Sequence, residues 1–231
     1  MNSTHAVKTS KWTALCALAT VMIVAAAGAQ EVVSVRASAS ANHTEKVKKT
    51  KDDGFVWLDV EGKDTYRASV TFTLDAAPTD WRTVADDISV TVGNVSCSPD
   101  ITKSSAKGGT AKLKEKDKEF RSNLTCTVKW SKRNVTLSLS GSNYDGDTII
   151  DTNDDEPIID EEIDIVVDVG DISCEAVVAM RGARSVKTKT IRSGRGEDAE
   201  IEDFELINWR ASGSARLANG VGGLLRFLMR W

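Results

Sequence analysis

Apolar and polar residues alternate one by one along most of this chain, and side chains repeating with period two share a face only in a β-strand. The pattern is plain in RASVTFTLDA (67–76), where Val70, Phe72 and Leu74 fall on one side. It recurs in FVWLDV from Phe55, ISVTVG (88–93), LTCTVKW (124–130) and VTLSLSG (135–141). IDIVVDVG, ISCEAVVAM, VKTKTIR and DFELINW carry it on to Trp209. β-Branched residues and Thr dominate these runs, and both suit a pleated surface. Ala77-Pro78, Gly93-Asn94, residues 131–134, Gly170-Asp171 and residues 181–184 supply turns between them. Short strands at this spacing predict an all-β fold, specifically an antiparallel β-sandwich.

The chain carries an internal echo. ISVTVGNVSC (88–97) parallels IVVDVGDISC (165–174) with six of ten positions identical, and Asp87 and Asp164 precede the two copies. Two related β units are therefore expected, residues 54–142 and 161–212, joined by an acidic loop at 143–160. The first unit carries a lysine-rich insertion at 98–125.

The ends read differently. Residues 12–27 form an uncharged apolar run after Lys8 and Lys11, and Ala27-Gly28-Ala29 offers small residues for cleavage. Residues 1–29 thus read as a signal peptide, which implies export to an extracellular, periplasmic or cell-surface location. Residues 30–53 are rich in Ser, Ala, Lys, Asn and Thr and read as a flexible leader. Residues 213–231 place Leu217, Val221, Leu224, Leu225 and Leu228 at helical spacing with Arg216, Arg226 and Arg230 nearby, a basic amphipathic tail able to touch a membrane surface. No segment after the signal region is long and apolar enough for a spanning helix.

Past residue 29 the cysteines are Cys97, Cys126 and Cys174. Export makes a disulfide plausible chemistry. A Cys97–Cys126 bridge would staple the base of the insertion, and Cys97–Cys174 is the rival pairing.

Charge is strongly segregated. Residues 101–133 hold ten Lys and Arg and three acids, whereas residues 134–180 hold thirteen acids and no Lys or Arg. Within the acidic stretch, Asn143, Asp145, Asp147, Asp151 and Asp154 place side-chain oxygens at positions one, three, five, nine and twelve of a twelve-residue loop. Ile149 offers its carbonyl at position seven, and Ile150 would turn inward. Calcium takes six to eight oxygens, and alternating carboxylates with small residues lets a chain wrap around it.

These twelve residues resemble the calcium loops of EF-hands, dockerins and thrombospondin type 3 repeats, and Asp151-Thr-Asn153-Asp154-Asp155-Glu156-Pro157 is most similar to the last of these. The resemblance covers about fifteen residues. It implies Ca2+ as the bound ion, with Asn143, Asp145, Asp147, Ile149, Asp151 and Asp154 as ligands. Thr148 stands where such loops usually carry glycine, and strands rather than helices flank the loop.

Catalytic signatures are sparse. Past residue 29 the one histidine is His43, which falls in the expected leader, so no Ser-His-Asp or Cys-His site is expected in the β region. Metalloprotease, nucleophile-elbow and P-loop motifs are absent from the sequence. The reading is a secreted or envelope-associated, non-catalytic, adhesion-like module stabilised by calcium. Its expected partner is an extracellular or envelope ligand, carbohydrate or anionic polymer, and not nucleic acid. Trp57, Trp81, Trp130 and Trp209 are candidate stacking platforms. The alternative is a polysaccharide hydrolase using paired carboxylates.

Overall fold

The computed structural model describes residues 31–52, 55–143, 148–150, 157–193, 200–219 and 225–227. The proposed signal peptide and the end of the tail lie outside them. The strands are β1 (Val32–Asp52), β2 (Phe55–Leu74), β3 (Ile88–Val92), β4 (Val95–Cys97), β5 (Asp100–Ser105), β6 (Gly108–Lys116), β7 (Asn123–Ser131), β8 (Asn134–Asn143), β9 (Ile158–Val169), β10 (Ile172–Ser193), β11 (Glu200–Asn219) and β12 (Leu225–Phe227). Among the described residues there is no helix.

The all-β, antiparallel expectation holds. The layering differs from two packed sheets, because hydrogen bonding runs unbroken through β4-β3-β9-β10-β11-β1-β2-β8-β7-β6-β5, with β12 against β11. This single sheet curls into a half-barrel. Its inner face is the apolar half of the alternation: Val70, Phe72 and Leu74 on β2, Val135, Leu137 and Leu139 on β8, and Ile163, Ile165, Val167 and Val169 on β9 are all buried in one cluster. Each such side chain contributes about 1.5–3 kcal/mol by leaving water. The two flanks share that core, since Trp81, from the loop after β2, packs on Trp130 of β7.

The internal echo maps onto two neighbouring hairpins, β3–β4 and the start of β9–β10. They lie side by side through β3 and β9, with Val90 opposite Val167. Each turns on a left-handed glycine, Gly93 at φ 52° and Gly170 at φ 56°. The Gly93 amide donates to the Asp164 carbonyl at 2.8 Å and the Gly170 amide to the Asp87 carbonyl at 2.7 Å. The repeated aspartates thus accept reciprocal turn hydrogen bonds about a local two-fold.

Residues 30–53 are not a flexible leader where they are described. Residues 32–52 form β1, which sits between β2 and β11. Its core-facing residues are Val35, Ala37, Ala39 and Ala41, so a period of two is present but written in small side chains. Low hydrophobicity disguised a central strand, because alanine fills three of its core-facing positions.

The tail also departs from a helix. β11 continues to Asn219, with Leu217 buried opposite Val35, and β12 returns along it. The lysine-rich insertion becomes β5, β6 and the approach to β7. β5 is exposed throughout and ends the sheet, and charged edge strands of this kind resist pairing with other chains.

Candidate functional site: a polar groove and a histidine cluster

The outward half of the alternation on the central strands is made of hydroxyls and amides. In register across the sheet, Thr127, Ser138, Ser69, Ser38 and Ser214 form one row. The next holds Thr125, Ser140, Arg67, Ser40 and Ser212, and a third holds Asn123, Ser142, Thr65, Asn42 and Arg210. Two cross-strand hydrogen bonds brace the third row, Thr65 Oγ1 to Asn42 Oδ1 and Asn123 Nδ2 to Ser142 Oγ, each at 2.5 Å.

These rows, Thr125, Thr127 and Ser214 aside, floor an open groove of about 1380 Å³ that crosses β7, β8, β2, β1, β11 and β10. Lys63, Arg67 and Arg210 line it, and among the described residues no Asp or Glu does. In a chain of net charge −4, that lining is locally cationic.

On the other, core-facing side of the same strands, His43 follows Val35, Ala37, Ala39 and Ala41 and builds a second polar cluster. Its Nδ1 lies 3.0 Å from Asp64 Oδ1 and its Nε2 lies 3.5 Å from Glu45 Oε1. The ring stacks on Trp209 with centroids 6.0 Å apart. Glu45 also accepts the Ile207 amide. Asp64 is buried, at 8% exposure, and the imidazole is what compensates it. Hydrogen bonding to Asp64 raises the His43 pKa above its ordinary value, against burial, which lowers it. A raised folded pKa means the protonated ring stabilises the fold below about pH 6.5. That stabilisation is lost as pH climbs through the folded value. Melting temperature should therefore fall as pH rises from about 6 to about 8. His43→Gln should flatten that slope, and an equal slope in both proteins would dismiss the assignment.

Sequence reasoning missed this cluster, because His43 lay in the expected leader. The available signal was that Ser34, Ser38, Ser40 and Asn42 alternate with Val35, Ala37, Ala39 and Ala41.

The proposed calcium ligands are only partly described. Asn143 ends β8, opposite Asp64. Ile149 and Ile150 are both buried. A Cβ on Gly93 would sit 2.0 Å from the Ile149 carbonyl oxygen, so that carbonyl packs over the β3–β4 turn. The Thr148 hydroxyl is buried with no partner among the described residues. Asp145, Asp147, Asp151 and Asp154 lie outside the described residues. Among those described, no three His, Cys, Asp or Glu side chains are placed to hold a metal ion.

The Cys97–Cys126 disulfide expected from spacing is not formed; Cys97, Cys126 and Cys174 are free thiols. β4 and β7 come from opposite flanks of the curled sheet, and the two thiols meet there as hydrogen-bond partners. That contact lowers the Cys97 pKa and raises that of Cys126. Burial pushes Cys174 up to about 12. Of the four candidate stacking tryptophans, Trp81, Trp130 and Trp209 are buried and Trp57 is 43% exposed.

Comparison with known families, with curated proteins and with solved structures yields no match.

Proposed function

We propose that this protein is an exported, non-catalytic binding module whose groove holds an anionic polysaccharide. The observation that carries this reading is the groove lining: rows of hydroxyl and amide groups with Lys63, Arg67 and Arg210 and, among the described residues, no carboxylate. Hydroxyl and amide groups match sugar hydroxyls, and guanidinium groups match carboxylate or sulfate substituents through paired hydrogen bonds. A shallow, open groove suits a polymer passing across it.

Calcium belongs to the same proposal. The acidic loop leaves β8 at its Asn143 end, opposite Asp64 of the histidine cluster. An ion drawing Asn143, Asp145, Asp147, Ile149, Asp151 and Asp154 together would stiffen that end.

The test is titration of the exported protein with a uronic-acid polymer and with a neutral glucan, each in millimolar calcium and in chelator. Uronate binding should exceed neutral binding, weaken with salt, and fall about tenfold in Arg67→Ala and in Arg210→Ala. Calcium should raise the melting temperature in the same samples. Equal affinity for both polymers would end the reading.

A hydrolase acting through paired carboxylates is the second reading, and Asp64 and Glu45 are the acids that favour it. Both already bind His43, and Glu45 also caps Ile207, which makes them scaffold rather than poised acid and base. Shortening of the polymer during titration, abolished in Asp64→Asn, would transfer the conclusion to that class.

A further inference from the structure

Two β-ribbons extend past the shared core. The β1–β11 ladder runs from Ser34↔Ala218 to Thr44↔Asn208 and stops. It stops because the next donor, the Ile207 amide, is taken by the Glu45 carboxylate. β8 begins to pair with β2 only at Asp64, and β9 pairs with β10 only as far as Ala183. Beyond these points residues 45–52 with 55–63, and residues 184–193 with 200–207, continue as two-stranded arms. An eight-residue strand such as 45–52 spans about 26 Å. Among the described residues, neither arm has a further strand on either edge.

Such ribbons are marginal alone, and an unpaired edge is a template for another strand. The arms also carry apolar surface that no described residue covers: Trp57, Val60, Val186 and Ile201 are exposed by 42–66%. Val47 lies opposite Val60, and Val186 opposite Ile207, so the apolar face of the sheet continues outward along both arms.

The two edges that face the split have opposite charge. Residues 45–52 hold four lysines and two acids, and residues 200–207 hold four acids and no base. Lys46 and Lys48 already pair with Glu61 of their own ribbon, so among the described side chains Lys49 is the base this edge offers to the acids of a β11 edge.

We infer that a second copy of this chain occupies these edges, with the β1 arm of one protomer pairing with the β11 arm of its partner and the reverse. The same patch is used twice, which closes the assembly as a two-fold dimer. Continuing the β1–β11 register between copies sets Lys49 against Asp203. Backbone hydrogen bonds supply the pairing, charge selects the partner strand, and the exposed apolar residues gain cover.

The test is sedimentation equilibrium of the exported protein from about 1 to about 100 µM, with hydrogen exchange on the same samples. The expected result is a dimer that weakens with salt, and slow exchange at residues 45–52 and 200–207 that is lost on dilution. Asp203→Lys and Lys49→Glu should each weaken the dimer about tenfold, and combining them in one chain should restore it. A monomer at every concentration overturns the inference. So does concentration-independent protection of both segments, which would mean that the arms zip together within one chain. A dimer indifferent to both charge reversals overturns it as well, and the hydrogen-exchange result stands even if a variant fails to fold.

Discussion

Gly170→Ala is expected to destabilise the fold by about 3 kcal/mol, one of the largest effects of any single methyl group here. Gly170 turns the β9–β10 hairpin at φ 56°. A dihedral of this kind is survivable by itself, because Arg121 and Lys132 both adopt φ 52° as non-glycine residues. What distinguishes Gly170 is contact. A Cβ there would lie 1.6 Å from the Val84 carbonyl oxygen and 3.0 Å from an Asp86 carboxylate oxygen. The first of these atoms is backbone, so the loop before β3 would have to lift. That loop carries Trp81 and Ala85 into the core. Movement there would also strain the Gly170 amide bond to Asp87. Urea unfolding of the two proteins measures the difference. A loss under about 1 kcal/mol would mean that the loop yields freely and that the local two-fold carries little energy.

Trp130→Ala should cost about 3–5 kcal/mol. Trp130 is 1% exposed, lies 6.5 Å from Trp81 between ring centroids, and leaves Gly109 no room for a Cβ, which would meet its ring at 2.4 Å. It joins β7, β6 and the loop after β2, so its removal opens a cavity where the two flanks of the sheet meet. Trp130→Phe should cost much less. The Trp130 indole nitrogen is buried with no hydrogen-bond partner among the described residues, and phenylalanine removes that unsatisfied group. Trp81 offers the contrast, because its Nε1 donates to the Lys132 carbonyl at 3.1 Å. Chemical denaturation of Trp130→Ala, Trp130→Phe and Trp81→Phe distinguishes packing from hydrogen bonding. If both variants at 130 lose the same amount, ring volume is not what holds the flanks together.

The strands were legible because alternation is a local property: Val70, Phe72 and Leu74 must share a face wherever the strand ends up. The repeated hairpins were legible for the same reason, since a glycine turn between two such runs closes over few residues. β1 was harder to see, because alanine and serine alternate too quietly to be separated from a polar linker until β2 and β11 flank them. The tail misled in the opposite way: Leu217, Val221, Leu224, Leu225 and Leu228 match a helical period, while Leu217 is committed to a strand by its pairing with Val35.

The order of residues determined that this chain would be antiparallel β structure, where most of its turns would fall, and which part of it would concentrate acid. Only the folded sheet decided that His43 meets Asp64 across adjacent strands, that Ser38, Ser69 and Ser138 line up as a groove floor, and that β1 and β11 part at Glu45. Alternation within a strand is settled by backbone geometry over a few residues. Which strands become neighbours, and in what register, is settled by how the whole apolar face can close on itself, and no short window of sequence contains that information.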